Sequence, residues 1–168
     1  MTAETAPHPM PQVGDEAPDF TLTDDTGQPR TLSEQRGHWV LLFFYPKDDT
    51  PGCTREACAL RDADPEMQAM DARTWGISIL GSGSKAAFKA KYGLPFTLLA
   101  DEDHRVAEAY GAWSQKTNYG KTYWGVQRAS FLVDPSGRLA RVWPTVDPDS
   151  HAADVLAALA ETRSAPDR

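Results

Sequence analysis

The chain has 168 residues, which is room for one domain and too few for two independent cores. Hydrophobic residues at 40% and charged residues at 24% are those of an ordinary globular domain, which excludes wholesale disorder and a collagen-like chain. Seventeen basic against 24 acidic side chains leave a formal charge of −7 with no basic run, which argues against nucleic acid as a partner. The longest continuous apolar run, Trp39 to Tyr45, is far short of the roughly 18 residues of a membrane-spanning helix, so no membrane association is expected.

Taken in order, residues 1–12 are rich in proline and small residues and read as a flexible N-terminal leader. They carry neither a basic n-region nor an apolar h-region, and the expected compartment is the cytoplasm. The globular pattern begins at Val13 and is expected to run to residue 160, with 161–168 frayed. Asp19 to Leu22 alternates as a half-buried strand, followed by a turn at Asp24 to Gly27. Trp39 to Tyr45 is apolar throughout and stopped by Pro46, as expected of a buried central strand. Pro46 to Gly52 is a loop. A helix is predicted from Cys53 to about Met70, kinked or divided at Pro65.

Thr74 to Leu80 reads as a second buried strand, Ser84 to Tyr92 as a helix stopped by Gly93, and Thr97 to Ala100 as a short strand. Asp103 is placed to cap a helix over His104 to Tyr110 that ends at Gly111. Trp113 to Gly125 reads as a long aromatic-rich connection. Ala129 to Val133 and Leu139 to Trp143 form a hairpin about Asp134 to Gly137, and a closing helix starts at Asp149 or Ser150 and runs through Leu159. Strands alternating with helices, then a hairpin and a last helix, predict an α/β sandwich with a mixed sheet.

The candidate for chemistry is Cys53, one of only two cysteines. It follows a buried strand and a loop, and it opens a helix. There the helix dipole and the unpaired N–H groups both favour a thiolate. The plain alternative is that Cys53 and Cys58 are small buried hydrophobes, as most intracellular cysteines are. A zinc site needs about four ligands, and the four histidines are scattered, so no metal and no cofactor are expected.

Pro46-Lys47-Asp48-Asp49-Thr50-Pro51-Gly52-Cys53 has the Pro-x-x-x-Thr-x-x-Cys form of the peroxiredoxins, and Cys58 follows five residues on. The chain resembles the bacterioferritin comigratory protein, or peroxiredoxin Q, branch of that family. The likeness runs from about Val13 to Leu159. It includes Gly14 to Phe20, Lys91 to Phe96, Ala109-Tyr110-Gly111, and Arg128 to Asp134, the segment that bears the family's active-site arginine. One segment departs: Leu80 and Lys85 stand where relatives commonly have an Asp and a His.

The resemblance implies a thioredoxin-like fold, a central mixed sheet flanked by helices. It implies a thiol peroxidase in which Cys53 attacks a hydroperoxide and becomes a sulfenic acid. Full ionisation gains a thiol only about thirtyfold at neutral pH, so the peroxide must also be held in line and its charge met by fixed donors. Thr50 and Arg128 are the residues implied for that work, with Gly52 and Pro46 shaping the pocket. Cys58 would resolve the sulfenic acid as a disulfide, and thioredoxin or a similar thiol reductant would reduce it. A monomer is expected.

Residues five apart on an α-helix have Cα atoms about 8.6 Å apart, beyond the roughly 7 Å a disulfide spans, so the helix start must unwind. Two other readings compete. A thiol–disulfide oxidoreductase normally uses Cys-x-x-Cys, which this spacing does not match. A non-catalytic peroxide-sensing switch protein would use the same pair without turnover.

Overall fold

A computed structural model describes residues 9–163. Its first half contains β1 (Thr21–Asp24), β2 (Pro29–Thr31), a 3-10 turn (Leu32–Gln35), β3 (Trp39–Phe44), α1 (Pro51–Ala69), β4 (Ala72–Ser78) and α2 (Ser82–Tyr92). The second half contains β5 (Thr97–Ala100), α3 (Arg105–Ala109), β6 (Trp113–Asn118), β7 (Lys121–Val126), β8 (Ala129–Val133), β9 (Leu139–Trp143) and α4 (His151–Arg163).

Seven strands make one mixed sheet in the order β2-β1-β5-β4-β3-β8-β9. Strands β3, β4 and β5 run parallel, while β8 pairs antiparallel with β3. Because side chains alternate along a strand, β3 feeds both layers. Leu41, Phe43 and Tyr45 pack with α1, α2 and α4, and Leu42 and Phe44 pack with Tyr110, Phe131 and Val133 on the other side. That explains the unbroken apolar run: a strand covered on both faces has no polar side. Gly76 of β4 is required by the same layer, since a Cβ there would lie 2.7 Å from the Phe43 ring.

Several boundaries differ from expectation for identifiable reasons. Helix α1 begins at Pro51, so Cys53 lies in its first turn rather than opening it. Pro65 does not divide α1, which continues to Ala69; Ala63, Asp64 and Met67 around it are buried, and packing holds the helix across the missing N–H. The N-cap position of α3 is held by His104, and the first-turn N–H groups are met by Asp101, not Asp103. The buried Asp101 carboxylate accepts from Val106 N at 3.2 Å and Ala107 N at 2.8 Å, whereas Asp103 reaches only Arg105 N at 3.4 Å.

The stretch from Trp113 is not a connection but a separate two-stranded hairpin, β6–β7. Tyr119 and Gly120 form its tip, both with positive φ (53° and 76°), the conformation of a tight two-residue hairpin turn. Helix α4 runs to Arg163, four residues past the expected Leu159. Met10 is half-buried against the core, so the segment before Val13 is not wholly loose. The rest of the expected leader, residues 1–8, and residues 164–168 lie outside the described residues. Among the described residues no helix is long and apolar enough to cross a membrane.

Candidate active site

The fold delivers Cys53 to the end of the buried strand β3. The chain leaves β3 through the loop 46–50, and Thr50 takes the N-cap position of α1. Pro51 fits the first helical position, where an N–H has no partner anyway. Thr54 N donates to Thr50 O at 2.8 Å, the first bond of the helix, so the N–H groups of Gly52 and Cys53 have no partner within it. They are donors for an incoming anion or oxygen. Cys53 itself is 1% exposed, packed with Tyr45, Ala57 and Leu60.

Arg128 approaches from the short segment between β7 and β8. Its Nη2 lies 3.4 Å from Cys53 Sγ, and its Nη1 donates to Glu56 Oε1 at 2.7 Å. One guanidinium fork therefore holds the thiol and a carboxylate together. Gly52 makes room for it, since a Cβ there would sit 3.1 Å from Arg128 Nη2. Burial opposes the charge on Arg128, but Cys53 and Glu56 outweigh it and hold the guanidinium above its ordinary range. For Glu56 burial dominates: it pushes the carboxyl up to about 7 against the pull of Arg128.

Thr50 directs its hydroxyl proton to Lys47 O at 2.9 Å, which leaves its lone pairs to accept. In this geometry Thr50 has lone pairs free to accept, and Arg128 and the helix N–H groups are the neighbouring donors. Pro46 is half-buried at the start of the loop. Burial and Arg128 push Lys116 of β6 down while Cys53 pulls it up. Cys58 is half-buried on the same unbroken helix, and both cysteines are free thiols. A surface cavity of about 430 Å³, lined by Arg30, Asp64, Arg73 and Trp75 among others, does not include Cys53 or Arg128.

Two groups were missed from the sequence. Glu56 is three residues after Cys53, on the buried stripe Cys53, Glu56, Ala57, Leu60, Met67. An acidic residue on an apolar helix face was the available signal. The second is a polar cluster beside the loop, buried at Tyr45, Asp48, Ser78 and Lys85 and part-buried at Ser84. Asp48 accepts from Tyr45 Oη, from Ser84 Oγ at 2.7 Å and from Lys85 Nζ at 3.2 Å, and Lys85 also donates to Ser78 Oγ at 2.7 Å. Lys85, one of the two residues that depart from the family pattern, is thus the partner of a loop aspartate.

The AhpC/TSA family profile matches residues 13–142. A putative peroxiredoxin bcp of Coxiella burnetii is 45% identical over 88% of this chain and 98% of its own length. Peroxiredoxin Bcp of Bacillus subtilis is 43% identical over 88% of this chain and 94% of its own. The chain belongs to the peroxiredoxins. The solved bacterioferritin comigratory protein of Xanthomonas campestris, studied for alkyl peroxide reduction, superposes with a TM-score of 0.84 at 35% identity, covering 89% of this chain and 98% of that one. This peroxiredoxin therefore has the thioredoxin-like fold expected of it, and it is a thiol peroxidase, an oxidoreductase that uses a thiol reductant.

Proposed function

We propose that Cys53 is the peroxidatic thiol and Cys58 the resolving thiol of a two-cysteine cycle acting on hydrogen peroxide and organic hydroperoxides. The observation that carries it is Arg128 Nη2 at 3.4 Å from Cys53 Sγ in the first turn of α1. The Cys53 thiolate attacks one peroxide oxygen; an S–O bond forms, the O–O bond breaks, and the leaving oxygen departs as water or alcohol after protonation. Arg128 and the N–H groups of Gly52 and Cys53 meet the charge that moves onto the leaving oxygen, and Thr50 accepts from the peroxide O–H. Pro46, which has no N–H to donate, shapes the loop and shields the thiolate from water.

Cys58 then attacks the sulfenic sulfur, the S–O bond breaks, and one water leaves as the disulfide forms. Both cysteines lie in intact α1 about five residues of helix apart, so this step requires the first turns of α1 to unwind. A thioredoxin-like dithiol returns the enzyme to the reduced state. Activity as a monomer in the cytoplasm completes the reading.

A peroxide-dependent assay with thioredoxin and its reductase tests the assignments. Cys53→Ser is expected to show no turnover, because a hydroxyl is barely ionised at neutral pH; retained turnover would overturn the role of Cys53. Cys58→Ser is expected to consume one equivalent of peroxide, accumulate sulfenic acid and over-oxidise at high peroxide. Normal cycling of Cys58→Ser would make this a one-cysteine enzyme with Cys58 as core filling.

A further inference from the structure

The loop that carries Thr50 is fastened to the fold at Asp48 by groups from two places, the end of β3 and the start of α2, and the second is backed by β4. Tyr45, at the end of β3, donates through its hydroxyl to Oδ1. Ser84 and Lys85, in the first turn of α2, donate to Oδ2 at 2.7 and 3.2 Å. Lys85 is anchored in turn by Ser78, the last residue of β4, at 2.7 Å. The side chains of Lys85 and Asp48 are 0% and 1% exposed. The Lys85 ammonium also lies 5.5 Å from the centre of the Tyr45 ring. Burial pushes Lys85 below its ordinary range, against the pull of Asp48.

A closed ion pair of this kind is an odd way to gain stability. Well-packed apolar side chains of the same size are often as good or better, but removing one partner leaves a buried charge with nothing to meet it. Its distinctive property is therefore that it is all-or-none. While the loop is seated every acceptor of Asp48 is served; once the loop lifts, water hydrates both ions and much of the opening cost is recovered. The next residue, Asp49, adds a second and weaker tie to α2: it sits in the left-handed region at φ 59°, which Asp tolerates, and accepts exposed bonds from Lys91 and Tyr92.

We propose that the buried Lys85–Asp48 pair is a latch that sets how often the β3–α1 loop and the first turn of α1 open, and hence how fast the Cys53 sulfenic acid is resolved. Asp48 and Lys85 are positioning residues: they act on Cys53 through Thr50 and the helix start, which are continuous with the loop. A tight latch keeps Cys53 in the Arg128 cradle for the first peroxide and exposes the sulfenic acid there to a second. A loose latch favours the disulfide. The proposal rests on the two-cysteine reading for its consequence, though not for the opening itself.

The test uses the full chain in its reduced form. Lys85→Met, the neutral pair Lys85→Met with Asp48→Asn, and the mild Ser84→Ala are compared with the wild type. Deuterium exchange of residues 46–58 is expected to rise roughly tenfold in Lys85→Met and less in the other two, with β3 and β4 unchanged. After one equivalent of hydrogen peroxide, disulfide formation should accelerate in the same order. The peroxide concentration that over-oxidises half the enzyme should rise in step.

Unchanged exchange in the loop, or a rise shared by the whole sheet, would overturn the latch and leave an ordinary structural pair. Faster loop exchange with an unchanged over-oxidation threshold would overturn its catalytic consequence. If the wild type forms no Cys53–Cys58 bridge while the loop still responds, the two-cysteine reading falls and the latch stands.

Discussion

Arg128 meets the Cys53 sulfur and the Glu56 carboxyl group with one planar group, and its neighbours are arranged around that geometry. Arg128→Ala is expected to slow sulfenic-acid formation by about a hundredfold, on the order of 3 kcal/mol, as for one donor lost from a closed site. Gly52→Ala tests the same geometry without touching the charge. Its Cβ would meet Nη2 at 3.1 Å, so the guanidinium must shift by a few tenths of an ångström. A loss of a few-fold to about tenfold in the peroxide rate constant is expected, measured by competition kinetics, with little change in melting temperature. An unchanged rate constant in both variants would make Arg128 a structural arginine.

Elements show where local pattern sufficed and where it did not. Strand β3, the α2 stop at Gly93 and the β8–β9 hairpin were legible because apolar runs and breakers agree with the tertiary packing. The β6–β7 hairpin was not, since its turn is Tyr119-Gly120 rather than Asn-Gly, and Trp113, which packs against the edge of the core, also stacks on Trp124 and His104. Tyr119 is 97% exposed and holds φ 53° with no packing to compensate. Tyr119→Asn is therefore expected to strengthen the hairpin by roughly 0.5–1 kcal/mol, read as slower amide exchange in β6 and β7. Faster exchange would mean the ring makes contacts that outweigh the turn. At the site, Cys53 was legible from its place after a buried strand, and Thr50 and Arg128 from the family resemblance; Arg128 lies beside Cys53, with Thr50 at the start of α1. Glu56, Asp48 and the role of Lys85 were not, because they depend on which helix face and which loop residue the fold buries.

For the molecule as a whole, two buried groups set opposing responses to pH. Burial raises Glu56 to about 7, so its contribution to stability is full below about pH 4.5 and is lost as pH rises through 7. Burial lowers His151, packed against Trp143, to about 4, so its contribution is full above about pH 6.5 and is lost as pH falls through 4. Each is worth on the order of 3 kcal/mol, and between about pH 5 and pH 6.5 they offset. The wild type should show a nearly flat stability over that window in urea titrations. His151→Leu should lose stability as pH rises through it, and Glu56→Gln should gain. A wild-type slope that neither variant alters would remove both groups from the account.

The central claim is that Cys53 and Cys58 pair by unwinding the start of α1. Peptide mapping combined with deuterium exchange on enzyme oxidised by one equivalent of hydrogen peroxide tests it most directly. The expected result is one intramolecular Cys53–Cys58 disulfide, with residues 51–58 exchanging far faster than in the reduced enzyme while β3 and β4 stay protected. A bridged pair with those residues still protected as helix, or a fully cycling enzyme without the bridge, would contradict it.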